Sequence, residues 1–113
     1  MVILCAGCSS SPGADHLFQL LEPSETNIYF SNEITENEKV NVIDFQYCYN
    51  GGGVGIGDFN QDGLPDIVFS GNQVSAALYL NLGELKFREV TQASGIATKG
   101  WLTGVSIADV NPC

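Results

Sequence analysis

The chain has 113 residues, and its 13 Asp and Glu against four Lys and Arg give a formal net charge of −9. Such a chain repels phosphate backbones, which argues against nucleic acid as a partner. Hydrophobic residues make up 44% of the chain, with six Phe, four Tyr and one Trp, so the composition favours a packed core over a disordered acidic tail. The length allows at most one domain, and no apolar run approaches the ~20 residues of a membrane span. Thirteen Gly between short apolar runs indicate a β-rich protein.

Residues 1–11 resemble the tail of a secretory signal, with a short apolar stretch followed by small residues and serines. Ala6-Gly7-Cys8 resembles the lipobox of bacterial lipoproteins, in which the cysteine is lipidated, so Cys8 is the predicted lipidation site. We therefore expect an exported, lipid-anchored protein at the outer membrane, the cell surface or in the periplasm. Cys5 stands where the box usually has Leu and the apolar run is short, so an ordinary apolar N-terminus stays open as the alternative.

The cysteines do not form a recognisable metal or redox motif. Cys5 and Cys8 have the C-x-x-C spacing of zinc half-sites and redox dithiols, but the sequence has no second Cys or His pair at short spacing. The single His16 is expected at the surface. A disulfide between Cys48 and Cys113 is permitted in an exported protein, and the sequence leaves this pairing open.

In chain order, residues 12–23 predict a linker with a short amphipathic helix from Asp15 to Glu22 that ends at Pro23. Short apolar runs bounded by turn residues then predict seven strands: 27–30, 40–49, 54–58, 67–70, 77–81, 87–90 and 102–110. Thr91 to Gly95 predicts one helical turn closed by glycine.

An internal repeat gives the strongest indication of architecture. The eight residues GVGIGDFN at 53–60 recur as GVSIADVN at 104–111, at an offset of 51 residues. Periods of ~40–50 residues that contain four strands are typical of propeller blades. The sequence therefore predicts an all-β fold over residues 24–113, with about one blade of a β-propeller and the start of the next.

The segment from Asp58 to Asp66 reads D-x-N-x-D-G-x-x-D, the first nine positions of a calcium loop. Gly63 at the sixth position permits a sharp turn because it has no Cβ. Three carboxylates at one site repel each other unless a dication neutralises them, so we expect Ca²⁺ there. The predicted oxygen ligands are Asp58, Asn60, Asp62, the backbone carbonyl of Leu64, and Asp66.

Other uses of the same spacing fit less well. An EF-hand needs a bidentate Glu at position 12, which is Phe69, and a strand leaving after Pro65 argues against a dockerin-type loop. An acidic turn without metal stays open. Asp62 and Asp66 as a glycosidase pair are disfavoured because a solvated glycine-rich turn does not enclose them. The sequence also lacks a Ser/His/Asp arrangement and a phosphate loop, so we expect no enzymatic activity in these residues.

The runs 49–66, 78–81, 87–91 and 95–96 resemble the FG-GAP/VCBS repeat. More narrowly, they resemble bacterial lipoproteins related to cartilage acidic protein that carry an ASPIC/UnbV domain, and residues 26–32 resemble the strand before the first blade of those proteins. The resemblance covers 17–111. It implies an integrin-α-like β-propeller, seven-bladed in the family, with Ca²⁺ in a loop between adjacent strands of a blade. Carried over by position, the family's metal ligands are Asp58, Asn60, Asp62, Leu64 and Asp66.

Taken together, these features predict a calcium-binding, non-enzymatic module that binds an extracellular protein or glycan. Trp101, Tyr47 and Tyr49 are expected to pack in the core and not to line a binding surface. Two alternatives stay open: the N-terminal propeller of a larger exported enzyme acting on a polymer, and a fragment without function of its own. The second copy of the loop departs from the pattern at Pro112-Cys113, so we expect the N-terminal piece of a longer protein that contains further blades.

Overall fold

A computed structural model describes residues 17–110 of the chain. Its centre is a four-stranded antiparallel sheet whose spatial order, β1-β2-β3-β4, follows the chain. Two helices of four residues flank the sheet. The elements are α1 (Pro23–Thr26), β1 (Val54–Gly57), β2 (Asp66–Phe69), β3 (Ala77–Asn81), β4 (Phe87–Glu89) and α2 (Thr91–Ser94). An all-β fold with one blade-like unit is confirmed, and the short N-terminal helix lies at 23–26, after its predicted range.

The strand register separates two faces of the sheet. On the face that we call the core face, Val54 and Ile56 of β1 are paired with Phe69 and Ile67 of β2. The core cluster also lies on the core face, and it consists of Ala77, Tyr79 and Phe87 with partly buried Ile28, Phe30, Ile67 and Phe69 packed against it. On the opposite face, which we call the glycine face, Gly55 is paired with Val68 and Val68 with Leu78.

Residues 27–32, which we call the strap, cover the outer part of the core face. Phe30 stacks on Phe69 with ring centroids 4.8 Å apart, and Phe69 meets Tyr79 edge to face at 5.8 Å. Burial raises the pKa of Tyr79, the charge of Glu89 adds to the rise, and backbone hydrogen bonds with Tyr29 and Phe30 oppose it. The strap therefore buries apolar side chains on the sheet without adding a strand to its edge.

Residues 104–108 cover the inner part of the glycine face. A Cβ added at Gly55 would lie 2.6 Å from Ile107 Cδ1 and 2.8 Å from Val105 Cγ1. A Cβ at Gly53 would lie 2.7 Å from the backbone nitrogen of Val105. The glycines of β1 are thus needed because the second copy of the repeat packs directly against the backbone of the first.

A buried asparagine joins these two coverings. Asn72 is 2% exposed, and its Nδ2 donates to the carbonyl oxygens of Gly51, at 3.1 Å, and Leu102, at 2.9 Å. Its Oδ1 accepts from Asn32 Nδ2 at 2.6 Å, and its backbone N–H donates to Asn32 Oδ1 at 2.9 Å. One side chain therefore connects the strap, the segment before β1 and the start of the second copy.

Four of the seven predicted strands form, and α2 ends as predicted with Gly95 in the left-handed conformation at φ 73°. The predicted strands at 27–30 and 102–110 are absent because these segments lie across the faces of the sheet and do not pair with a strand. The predicted strand at 40–49 forms turns instead. There Asn41 Oδ1 accepts from the backbone N–H groups of Ile43 and Asp44, and such local bonds compete with strand pairing.

The helix predicted from Asp15 to Glu22 does not form over the part that the structure describes, and α1 begins at Pro23 instead. Proline suits the first turn of a helix because its missing N–H has no intrahelical partner there. The Glu25 carboxylate accepts the backbone N–H of Glu22 at 2.8 Å and strengthens this N-terminus. Leu17, Phe18 and Leu20 are exposed.

None of the three aromatic residues expected in the core belongs to the core cluster. Tyr47 and Tyr49 are exposed, whereas Trp101 is half-buried and meets Phe45 edge to face at 5.2 Å.

Cys48 is fully buried, and its suggested partner Cys113 lies outside the described residues. The predicted lipidation site at Cys8, the signal segment 1–11 and His16 also lie outside them. No helix within residues 17–110 is long and apolar enough to cross a membrane.

The small core makes stability sensitive to its largest members. We expect Phe87→Ala to lower the free energy of unfolding by about 3–5 kcal/mol because it leaves a cavity beside Tyr79. Leu82→Ala is the control, since Leu82 is 57% exposed and its loss should change stability by less than about 0.5 kcal/mol. Urea denaturation followed by circular dichroism measures both. If both substitutions lowered the free energy of unfolding equally, Phe87 would not be a major member of the core.

Candidate metal centre

The loop from Asp58 to Pro65 connects β1 to β2, and the pairing of Gly57 with Asp66 closes it. The loop is thus anchored between adjacent antiparallel strands of one sheet. Gly63 adopts φ 86° and Gln61 adopts φ 61°, both in the left-handed region. No heavy atom lies within 4 Å of a Cβ placed at Gly63, so backbone conformation and not crowding favours glycine there.

The first carboxylate of the loop organises the turn. Asp58 Oδ1 accepts the backbone N–H of Asp62 at 3.1 Å, and Asp58 Oδ2 accepts that of Gly63 at 2.9 Å. Each oxygen keeps a lone pair after accepting one hydrogen bond. Asp58 therefore bends the loop around itself and still has the capacity to bind a cation.

The next two polar side chains repeat this arrangement. Asn60 Oδ1 accepts the backbone N–H of Asp62 at 3.1 Å, and Asp62 Oδ1 accepts that of Leu64 at 2.8 Å. Asn60 Nδ2 also donates to Asp62 Oδ2 at 2.7 Å. The shared backbone N–H of Asp62 links Asp58 with Asn60, and the side-chain bond links Asn60 with Asp62, so the three side chains lie together on an exposed loop.

Asp66 has a different environment from the other two carboxylates. It is fully buried, its Oδ2 accepts the backbone N–H of Phe59 at 2.9 Å, and its Oδ1 accepts that of Asn81 at 2.8 Å. Asn81 Nδ2 in turn donates to the carbonyl oxygen of Pro65 at 3.0 Å. Asp66 therefore fastens the start of the loop to the end of β3.

The donors suit a hard cation that prefers oxygen ligands. Within residues 17–110, no group of three or more His, Cys, Asp or Glu side chains is placed to hold a metal ion. The loop offers two exposed carboxylates, the Asn60 amide oxygen and the Leu64 carbonyl. Asp66 can join them only through lone pairs that its two backbone donors leave free. Asp66 as a ligand stays a prediction.

The sequence does not predict that Asp66 fastens the loop to β3, nor that Asn81 hydrogen-bonds to both Asp66 and Pro65. A signal was present, because Asp66 directly precedes the apolar residues Ile67, Val68 and Phe69 of β2. A carboxylate at the start of a buried strand needs hydrogen-bond donors from the protein. The nine-residue loop motif ends at Asp66 and does not include Asn81, so its spacing alone does not reveal these donors.

Comparison with known proteins supports a repeat unit. Residues 58–112, just under half of the chain, match the family model of the FG-GAP-like repeat. The match begins at the first residue of the loop and includes β2, β3, β4 and α2. Neither the curated proteins nor the solved structures contain a match at the threshold applied.

Replacing a carboxylate by the neutral Asn side chain should affect stability differently at the buried and the exposed positions of this loop. EDTA is present to remove metal ions, so that only the contacts within the protein are compared. We expect Asp66→Asn to lower the free energy of unfolding by about 1–3 kcal/mol, since an amide NH₂ would face a backbone donor in a buried site. Asp62→Asn, on the exposed loop, should change it by less than about 0.5 kcal/mol. Thermal and urea unfolding of both variants provide the comparison. If Asp66→Asn left the free energy of unfolding unchanged, the Asp66 carboxylate would not fasten the loop.

Proposed function

We propose that the chain is a calcium-binding, non-enzymatic propeller repeat module of an exported bacterial lipoprotein, and that it binds a protein or glycan at the cell surface. The observation that supports the calcium proposal is the loop closed around Asp58, in which Asn60 shares the backbone N–H of Asp62 with Asp58 and the Asp62 carboxylate accepts that of Leu64. The match of residues 58–112 to the FG-GAP-like repeat supports the assignment to a repeat module.

In this proposal the cation takes the side chains of Asp58, Asn60 and Asp62, the carbonyl of Leu64, and Asp66. A bound dication neutralises the repulsion between the loop carboxylates. Hydrogen bonds within the protein also position the loop, since Asp66 and Asn81 hold both of its ends. In this proposal calcium stabilises the loop further, and the loop serves structure and recognition without catalysing a reaction.

Calorimetric titration of CaCl₂ into the full chain tests the metal proposal. We expect saturable binding that Asp58→Asn and Asp62→Asn each weaken at least tenfold. Calcium at about 100 times its dissociation constant should stabilise the fold by about 2.7 kcal/mol, seen as a higher melting temperature. Glu38→Gln is the matched control because it removes one exposed carboxylate outside the loop. Absence of binding in the unmodified chain, with an unchanged melting temperature, would overturn the proposal.

Lipid anchoring has its own test, since Ala6-Gly7-Cys8 is the sequence on which it depends. Expression of the full chain in bacteria supplied with labelled palmitate should give a labelled protein that moves to the membrane fraction. Cys8→Ala should abolish the label, whereas Cys5→Ala, the matched control, should retain it. Label that persists in Cys8→Ala would show that this cysteine is not the acceptor.

A further inference from the structure

The segment before β1 contains the Asn-Gly dipeptide of the chain, Asn50-Gly51. An asparagine can react with its own backbone, because the nitrogen of the following residue can attack the side-chain amide carbon. Glycine in the following position favours this reaction, since it has no side chain that would hinder the approach. Every other asparagine of the chain precedes a larger residue. Asn50 is therefore the position at which the sequence most favours this reaction.

The fold leaves the reacting groups of this dipeptide accessible. Asn50 is exposed, and no heavy atom lies within 4 Å of a Cβ placed at Gly51. The backbone N–H of Asn50 donates to the carbonyl oxygen of Tyr47 at 3.1 Å. Within residues 17–110, however, neither the Asn50 side chain nor the Gly51 N–H makes a hydrogen bond. No such bond therefore holds the side-chain amide away from the Gly51 nitrogen.

The calcium loop provides a comparison, because an aspartate before glycine can undergo the same cyclisation. In Asp62-Gly63 the Gly63 N–H donates to Asp58 Oδ2 at 2.9 Å, and Asp62 Oδ1 accepts the backbone N–H of Leu64 at 2.8 Å. Both reacting groups of that pair are thus held by hydrogen bonds within the loop. The two dipeptides differ in this respect, and the difference favours reaction at Asn50.

We propose that Asn50 is a site of spontaneous deamidation, and that its isoaspartate product loosens the hydrogen bonds of Asn72. The Gly51 nitrogen forms a bond to Asn50 Cγ, the Cγ–Nδ2 bond breaks, and Nδ2 leaves as ammonia with the proton of the Gly51 N–H. Water then opens the resulting succinimide ring. Cleavage of the new bond gives aspartate, and cleavage of the original peptide bond gives isoaspartate. Water is the only co-reactant.

The two products differ in their effect on the backbone. Aspartate retains the original main chain and adds one negative charge at an exposed position. In isoaspartate the main chain passes through Cβ and Cγ of residue 50, so one extra atom lies between its Cα and the nitrogen of Gly51. Isoaspartate therefore lengthens the chain directly before Gly51, whereas aspartate does not.

The residues that follow are held against the end of β2 and cannot easily absorb this extra length. A Cβ added at Gly52 would overlap the carbonyl oxygen of Ser70, and the Gly53 N–H donates to Ser70 Oγ at 2.7 Å. The displacement therefore falls on Gly51, whose carbonyl oxygen accepts from Asn72 Nδ2 at 3.1 Å. Through Asn72 it reaches the strap and the start of the second copy.

Peptide mapping of the full chain after incubation at mildly alkaline pH tests the reaction, with fragmentation that distinguishes isoaspartate from aspartate. We expect Asn50 in the folded chain to convert at a rate within several-fold of that in the guanidinium-unfolded chain. Asn50→Gln should stay unmodified, because its longer side chain closes a ring more slowly. Asp62 should form no isoaspartate in the folded chain. An intact Asn50 in the folded chain, at a time when the unfolded chain has converted, would overturn the proposal.

The link to Asn72 is tested by comparing the purified isoaspartate form with Asn50→Asp, which has the added charge but the original backbone. The isoaspartate form should melt several degrees lower, whereas Asn50→Asp should melt like the unmodified chain. Hydrogen exchange should be several-fold faster at the Asn72 amide, which donates to Asn32 Oδ1. The Gly63 amide of the calcium loop is the internal control and should exchange equally in both. Equal melting temperatures and equal exchange at Asn72 would show that isoaspartate does not act through this residue.

Discussion

The buried side chain of Asn72 holds the parts of this unit in place. It hydrogen-bonds to Asn32 in the strap, to Gly51 before β1 and to Leu102 at the start of the second copy. The strap covers one face of the sheet and the second copy covers the other, so a single residue positions both. Each of these partly buried polar groups would lose a partner without Asn72, and the net contribution of one such hydrogen bond is about 0.5–1.5 kcal/mol. The sheet alone, with a core cluster of three buried residues, would not fix either segment.

A second buried polar residue does the same for the loop. Asp66 joins the amide of Phe59 to that of Asn81, so the loop geometry depends on the end of β3 as well as on its own sequence. In the calcium proposal these carboxylates have different roles. The exposed Asp58 and Asp62 would bind the cation, while the buried Asp66 holds the loop to the end of β3. Mutation can therefore separate the loss of a cation-binding carboxylate, at Asp58 or Asp62, from the loss of the hydrogen bonds that Asp66 makes.

The sequence predicts those parts of the fold that depend on local pattern. Four strands and the glycine-closed turn α2 follow from short apolar runs bounded by turn residues. Residues 27–30 and 102–110 have the same apolar pattern, but a strand also needs a partner at its edge, and pattern does not reveal where partners lie. Residues 40–49 do not form the predicted strand for another reason. The side chains of Asn37 and Asn41 accept hydrogen bonds from nearby backbone N–H groups, and these local bonds compete with strand pairing.

The spacing of oxygen-bearing residues likewise predicts that the side chains of Asp58, Asn60 and Asp62 lie in one turn, and in the structure all three accept backbone N–H groups of the same loop. It does not predict burial. Whether Asp66 faces solvent or the end of β3 depends on the pairing of β2 with β3, which brings Asn81 beside it from 15 residues away. Contacts of that range arise from the tertiary fold, and no nine-residue motif contains them.

The boundaries of the repeat clarify how neighbouring units are joined. The sheet runs from β1 to β4, whereas the matched family repeat starts after β1, at residue 58, and extends into the second copy. The matched repeat therefore contains three strands of this unit and the segment that corresponds in sequence to β1. That segment packs through Val105 and Ile107 on the glycines at 53 and 55. Successive copies of the repeat are therefore joined both by the chain and by side-chain packing.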